Sequence, residues 1–372
     1  MRRSLLGLAL AGVASAGTAW AQEPDDGALP PVAYRNRLIG LPYVTYSPQT
    51  KVQFGVVGGY QFKWPGMGAD STTRPSYLAT NFGYTTKGQW TTFLGTSLFT
   101  PRSDWWFTAN IGAAYFPVFY YGIGPHTLEA DTNLMTSRAI QIDLRALRRW
   151  GRELYLGPAY RLSSVFDLSW QYPSRIPATL SGGNGGVNSG FGATVLLEDR
   201  NSTTTPTTGH YLQLDYLYHG SITGSDFHYS HLVLDGRAYV PLRGGLDVIA
   251  LAAYAEFNGS GVPIQSMALL ANGTSQELMR GVYLGRFRDR HEVVSQAEYR
   301  GHLKGRFGYV VFGAAGNVFG SPGNGLFDDV KFTYGAGLRF NVNPADPLNI
   351  RFDYTLTTFG GGGLSVGAAE AF

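Results

Sequence analysis

The sequence predicts an all-β fold: a 16-stranded antiparallel transmembrane β-barrel with a long sixth extracellular loop. Three observations predict it. Segments long enough to cross a membrane as strands alternate between apolar and polar side chains. Only 15% of the residues are charged, against about 25% in ordinary soluble domains. The run from Leu278 to Arg290 mixes charged, aromatic and glycine residues, suits neither strand nor helix, and sits between two strongly alternating segments.

The first element is a leader. Arg2 and Arg3 make a positive start, Leu5 to Ala16 an apolar stretch, and Ala19-Trp20-Ala21 a small-x-small cleavage site, so residues 1–21 read as a secretory signal peptide. The apolar stretch is too short, and too rich in Ala and Gly, to be a good spanning helix. Residues 22–33 then form a short periplasmic segment, and 34–372 the barrel. No later segment approaches the roughly 18 consecutive apolar residues that a spanning helix needs. The chain has no cysteine, so an exported protein of this kind draws its stability from burial or from lipid. The net charge of +3 gives no case for nucleic acid.

Alternation then places the strands at 34–46, 51–64, 73–86, 89–100, 105–121, 136–149, 152–169, 188–199, 209–221, 227–242 and 245–258. The long loop follows at 259–289, and strands resume at 290–303, 307–319, 331–343, 348–358 and 362–372. The even total suits a single-chain outer-membrane barrel, with a count of fourteen left open. In 52–63, Val52, Phe54, Val56, Tyr60 and Phe62 share one face and Gln53, Gln61 and Lys63 the other. In 350–357, Ile350, Phe352, Tyr354 and Leu356 alternate with Arg351, Asp353, Thr355 and Thr357. Asp143 and Arg145, and Glu298 and Arg300, fall on the polar face in the same way. An Arg or Lys on the lipid face near the midplane would cost about 2–4 kcal/mol, and this register avoids it. Trp90, Trp105-Trp106 and Tyr120-Tyr121 near strand ends suit aromatic girdles at headgroup depth.

Catalytic and metal readings find little support, so neither an enzyme activity nor a cofactor is expected. His228 and His231 are three apart, which on a strand puts them on opposite faces. No cluster has metal-ligand spacing, though Asp328 and Asp329 in the loop 321–330 are candidates for calcium. The runs Ser181–Gly186 and Gly360–Gly363 fall at strand connections with no helix after them, so they are turns and not phosphate loops. The residues alone leave the 259–289 loop two places: solvated outside, as charge runs usually are, or inside the barrel.

Several motifs in order carry a resemblance. They are Leu41-Pro42-Tyr43-Val44-Thr45-Tyr46-Ser47-Pro48, Asp70–Ser76, Glu198-Asp199-Arg200-Asn201 followed by Pro206 and Gly209, Arg280-Gly281-Val282-Tyr283, Ala297-Glu298-Tyr299-Arg300, Phe312–Phe319 and the final Phe372. The chain resembles the BamA/TamA, or bacterial surface antigen, superfamily of outer-membrane barrels. The resemblance implies sixteen strands and a sixth loop inside the lumen, held there by an arginine. It makes Arg280, Gly281 and Tyr283 the loop motif, with Val282 an extra residue before the aromatic. The wall beneath would include Glu298, Phe312 and Gly316, and Phe372 would belong to the C-terminal assembly signal. Two departures stand out. The segment 22–33 is too short for the POTRA modules of assembling members. The Asp that the family often places two residues after Phe312 is Ala314 here, so Arg280 is expected to pair with Glu298.

The resemblance implies work on outer-membrane proteins or lipid through a weak seam between the first strand, which contains Pro42, and the Gly/Ala-rich last one. The partners it implies are outer-membrane lipids, the barrel assembly machinery for the chain's own insertion, and client outer-membrane proteins or a homo-oligomer. A plugged pore for a small solute and a structural surface antigen are the other readings.

Overall fold

A computed structural model describes residues 36–47, 51–68, 70, 72–320, 325–342 and 348–372. The expected signal peptide 1–21 and segment 22–33 lie outside the described residues. Sixteen strands form one sheet in which each strand pairs with its neighbours in sequence. They are β1 (Arg37–Ser47), β2 (Lys51–Phe62), β3 (Ser76–Thr85), β4 (Trp90–Phe99), β5 (Trp105–Tyr120), β6 (Asn133–Trp150), β7 (Leu154–Trp170), β8 (Gly186–Glu198), β9 (Gly209–His219), β10 (Tyr229–Leu242), β11 (Asp247–Asn258), β12 (His291–Lys304), β13 (Phe307–Phe319), β14 (Lys331–Asn341), β15 (Asn349–Thr357) and β16 (Gly362–Ala368). The pairings are antiparallel throughout.

The sheet is built inside out relative to a soluble one. In β14, Leu338 is 59% exposed and the adjacent Arg339 4%. In β15, Tyr354 is 57% exposed and Asp353 fully buried. Successive side chains point to opposite faces, so alternation sends every second residue outward, and here the outward ones are apolar. Such a face is stable only against an apolar solvent, as in a barrel whose outer band meets acyl chains.

Many of the inward charges are paired, often with a residue two positions away. Residues two apart share a face, and Arg200 meets Glu198 at 2.5 Å, Arg237 meets Asp235 at 2.7 Å, and Arg300 meets Glu298 at 2.9 Å. Arg145 pairs with Asp143 in the same way and reaches Asp215 of β9 at 2.8 Å. A buried charge without such a partner would be expensive.

Beneath the long loop, the inner face of β11–β13 carries an apolar patch of small residues, beside the buried Glu292 and Gln296 of β12. Ala250, Ala252, Val294, Ala314 and Val318 line it, and Leu270, Leu278, Met279, Val282 and Phe287 of the loop pack into it. The loop carries a helix, α1 (Thr274–Leu278), and a short ladder pairing Ala268–Leu269 with Arg288–Asp289. At its far end the N–H of Gly124 donates to the carbonyl of Arg288 at 2.7 Å, and Arg286 Nη1 donates to Thr127 Oγ1 at 2.7 Å. The β5–β6 connection and β15 therefore touch the same loop.

Three expectations need correction. The last strand was expected over 362–372, but it ends at Ala368, and Ala369 takes φ +65°. Residues 369–372 turn to the inner face and are buried. Trp105 and Trp106 do not form one girdle, because neighbours alternate. Trp105 is exposed and stacks on Phe107, whereas Trp106 packs with Leu147, Tyr155 and Leu196. Tyr120 and Tyr121 face the arginines Arg288 and Arg286 of the loop.

Val311 lies near the middle of β13 on the exposed face. Val311→Arg should lower the unfolding free energy in a lipid bilayer by about 2–4 kcal/mol, read by denaturant titration of the embedded protein. An unchanged midpoint would place this face away from hydrocarbon.

Candidate functional site

The site grows from the end of α1. After Leu278 and Met279 the chain reaches Arg280 and then Gly281, which takes φ +85°. A Cβ at Gly281 would sit 3.0 Å from Thr355 Cγ2. Only glycine accepts both the left-handed conformation and this approach to β15, and together they deliver Arg280 to the wall.

Arg280 is buried. Its Nη2 donates to Glu298 Oε1 on β12, and its Nη1 to Asp353 Oδ2 on β15 at 2.6 Å. The guanidinium carbon lies 3.6 Å from the centre of the Phe312 ring on β13, as in a cation–π contact. Each acid then holds a second arginine. Glu298 Oε2 accepts from Arg300 Nε at 2.9 Å, and Asp353 Oδ1 from Arg339 Nη1 at 2.5 Å. β14 makes room for this, because a Cβ on Gly337 would collide with the Asp353 carboxylate. Beside the network, Glu277 of α1 pairs with Arg351 at 2.5 Å.

The structure thus brings together Arg280, Glu298 and Phe312. Gly316 lies next to them under the loop, where a Cβ would be 3.0 Å from Leu270 Cδ1 and Val294 Cγ2. Tyr283 stands apart, against Phe119 and Tyr121 at the end of β5. Phe372 is not on a strand. Its ring lies 5.1 Å from the Arg300 guanidinium and 6.2 Å from the Tyr239 ring.

Sequence reasoning missed Asp353 and Arg339. Asp353 stood on the polar face of its strand, but only the tertiary fold puts it and Arg339 beside a loop that precedes β12. Ala314, where an acid is absent, belongs to the apolar seat of the loop.

A cavity of about 640 Å³ separates α1 from the wall formed by β4–β11. Arg145, Arg161, Asp215, Arg237, Glu256 and Glu277 line it. Among the described residues, no group of three His, Asp or Glu side chains could hold a metal ion. The calcium candidates point elsewhere: Asp328 Oδ2 lies 3.0 Å from His126 Nε2, and Asp329 Oδ2 3.2 Å from His126 Nδ1 and 2.5 Å from Lys331. The hydrogen bond to Asp328 and the charge of both acids raise the His126 pKa above its ordinary value, against desolvation and the charge of Lys331.

A model of the Omp85 superfamily domain matches residues 78–362. Among solved structures, the chain is similar to BamA from Haemophilus ducreyi lacking POTRA domains 1-3, at 14% identity and TM-score 0.54, over 90% of this chain and 70% of that one. It is similar to CdiB from Acinetobacter baumannii at 11% identity and TM-score 0.54, over 87% of this chain and 56% of that one. It is also similar to CdiB from Escherichia coli at 11% identity and TM-score 0.55, over 94% and 66%. The chain therefore spans less than two thirds of either CdiB chain. At such identities the likeness is one of fold. A search of curated proteins gave no match.

Glu298→Ala should leave Arg280 and Arg300 short of an acid. Removing one partner of a buried pair costs about 3–5 kcal/mol, so the melting temperature should fall and trypsin should cut the loop at Arg286 or Arg290 faster. Unchanged melting and cleavage would show that Glu298 does not hold the loop. The His126 contact follows a different rule. Because its folded pKa is raised, its contribution is complete below the ordinary value of 6.5 and fades as pH rises through the raised one. Amide exchange over 325–330, corrected for its intrinsic pH dependence, should therefore quicken as pH rises through that raised value, and His126→Gln should abolish that change.

Proposed function

The chain belongs to the Omp85 superfamily, and from that premise we propose that this outer-membrane barrel serves the assembly of outer-membrane proteins or the lipid balance of that membrane, acting through the seam between β1 and β16. The observation that carries the reading is the mismatch at that seam. β16 has 7 residues and β1 has 11, and no backbone pairing joins them among the described residues. In hydrocarbon every unpaired backbone group costs several kcal/mol. A short closing strand gives the barrel few bonds to break when an edge is offered to another strand or to lipid. Leu38, Leu41 and Val44 of β1 are exposed.

In this reading the curled sheet encloses a lumen, and the 259–290 loop is its plug, pinned by Arg280. The loop holds the wall opposite the early strands while the seam moves. No enzyme activity, metal or cofactor is assigned.

One observation favours a second reading. The charged cavity beside α1 leaves polar space along β4–β11, which would suit a solute path that opens when the loop shifts. That path predicts conductance of the purified barrel that rises when residues 274–290 are deleted.

The two readings part in a deletion strain whose outer-membrane proteome and surface lipid are quantified together. Selective loss of other barrels, or misplaced lipid, is the expected result. An unchanged membrane would overturn the assembly reading and turn attention to conductance.

A further inference from the structure

Residues 369–372 leave the sheet at a cost. Ala369 adopts φ +65°, a conformation unfavourable to any residue with a Cβ, where a straight β16 would set Glu370 on the apolar face with Leu364 and Val366. Contacts on the inner face must offset that strain. The Glu370 carboxylate accepts from Arg339 Nε at 2.7 Å and from Asn349 Nδ2 at 2.7 Å, and its N–H donates to the Thr204 carbonyl at 2.9 Å. The Phe372 carbonyl accepts from Arg300 Nη2 at 2.9 Å, and its ring is sheltered by Arg300 and Tyr239.

Arg300 and Arg339 are also the second arginines on the two acids that grip Arg280. Two bridges therefore run side by side from loop to tail. One passes from Arg280 through Glu298 and Arg300 to Phe372, the other from Arg280 through Asp353 and Arg339 to Glu370. Arg280, Arg300 and Arg339 balance Glu298, Asp353 and Glu370 in charge. Withdrawing Glu370 leaves a buried surplus of positive charge, which is relieved only by drawing in water or loosening Arg280.

We infer that Arg300, Arg339, Asn349 and Tyr239 form a receptor site for a short acidic-x-aromatic segment, filled in cis by residues 370–372, and that its occupancy locks the 259–290 loop to the wall. A cavity of about 260 Å³ lies beside it, lined by Arg300, Arg339, Asn349 and Glu370 together with Gly245 and Arg306 of the adjacent turns. The segment thus has a route out toward the end of the sheet where those turns lie. The lock stands on contacts alone and holds whichever function the barrel serves. Coupling of this kind is reciprocal: freeing the tail must loosen the loop, and freeing the loop must loosen the tail.

Hydrogen exchange of the full chain in detergent micelles tests both directions. In Glu370→Gln/Phe372→Ala, amides of 274–290 should exchange about tenfold faster, the equivalent of about 1.4 kcal/mol, while those of β6–β9 keep their rates. In Arg280→Gln, amides of 369–372 should quicken in turn. Should that variant fail to insert, Arg280→Lys, which keeps the charge but loses the two-pronged grip, takes its place. The lock is overturned if the tail is freed and the loop does not respond. It is equally overturned if every strand quickens together, since that is general destabilisation and not coupling.

Discussion

A guanidinium removed from water has to be matched by acids within reach, and much of this molecule is arranged around matching one. Arg280 arrives on a loop, so its partners must come from elsewhere in the chain. Glu298 and Asp353 stand on strands separated by two others, and the arginine spans them over the Phe312 ring. Each acid is in turn shared with another arginine, so no member of the group stands alone. Local choices of residue follow from that demand. Gly281 lets the loop approach β15, Gly337 leaves space for the Asp353 carboxylate, and Glu370 completes the balance of charge from the far end of the chain.

The inner face is divided between two kinds of surface. Under the loop it is largely alanine and valine, an apolar seat that accepts Leu270, Leu278 and Met279 beside the buried Glu292 and Gln296. Along β4–β11 it is charged and borders open space. The loop is thus seated on β11–β13 and tied across to the β5–β6 connection through Arg286 and Arg288. Its seat explains why an acid after Phe312 would be misplaced, because Ala314 faces the apolar underside of the loop and not its arginine. The first and last strands lie beyond this fastened region, with the shorter strand joined to it through residues 369–372.

Much of this was written in the sequence. Strict alternation located the sixteen strands and told inside from outside, because a one-residue shift would put Arg351 and Asp353 into lipid. The pairing of Arg280 with Glu298 lay within reach of the same reasoning, since both residues flank one strand end and the resemblance named the loop. Asp353 did not, although its place on the polar face was evident, because nothing local says which distant loop a strand will meet. The inward turn at Ala369 was hidden for the same reason. Glu370 falls in register with the outward Leu364 and Val366, so a straight β16 would carry its charge onto the apolar face, but what diverts the tail are Arg300 and Arg339, more than thirty residues away in sequence. Paired aromatics misled because neighbours on a strand cannot share a face, as Trp105 and Trp106 show.

The acids that sit two residues from Arg145, Arg200, Arg237 and Arg300 carry a consequence for the order of events as the protein forms. An extended segment brings residues i and i+2 to one side by itself, so these arginines travel with their counter-ions before any neighbouring strand has arrived. Each such segment can enter the bilayer already neutralised. Arg280 has no such companion. Its acids lie on β12 and β15, which are made after it and come together only once β13 and β14 are in place between them. The loop is therefore synthesised before its own anchorage exists.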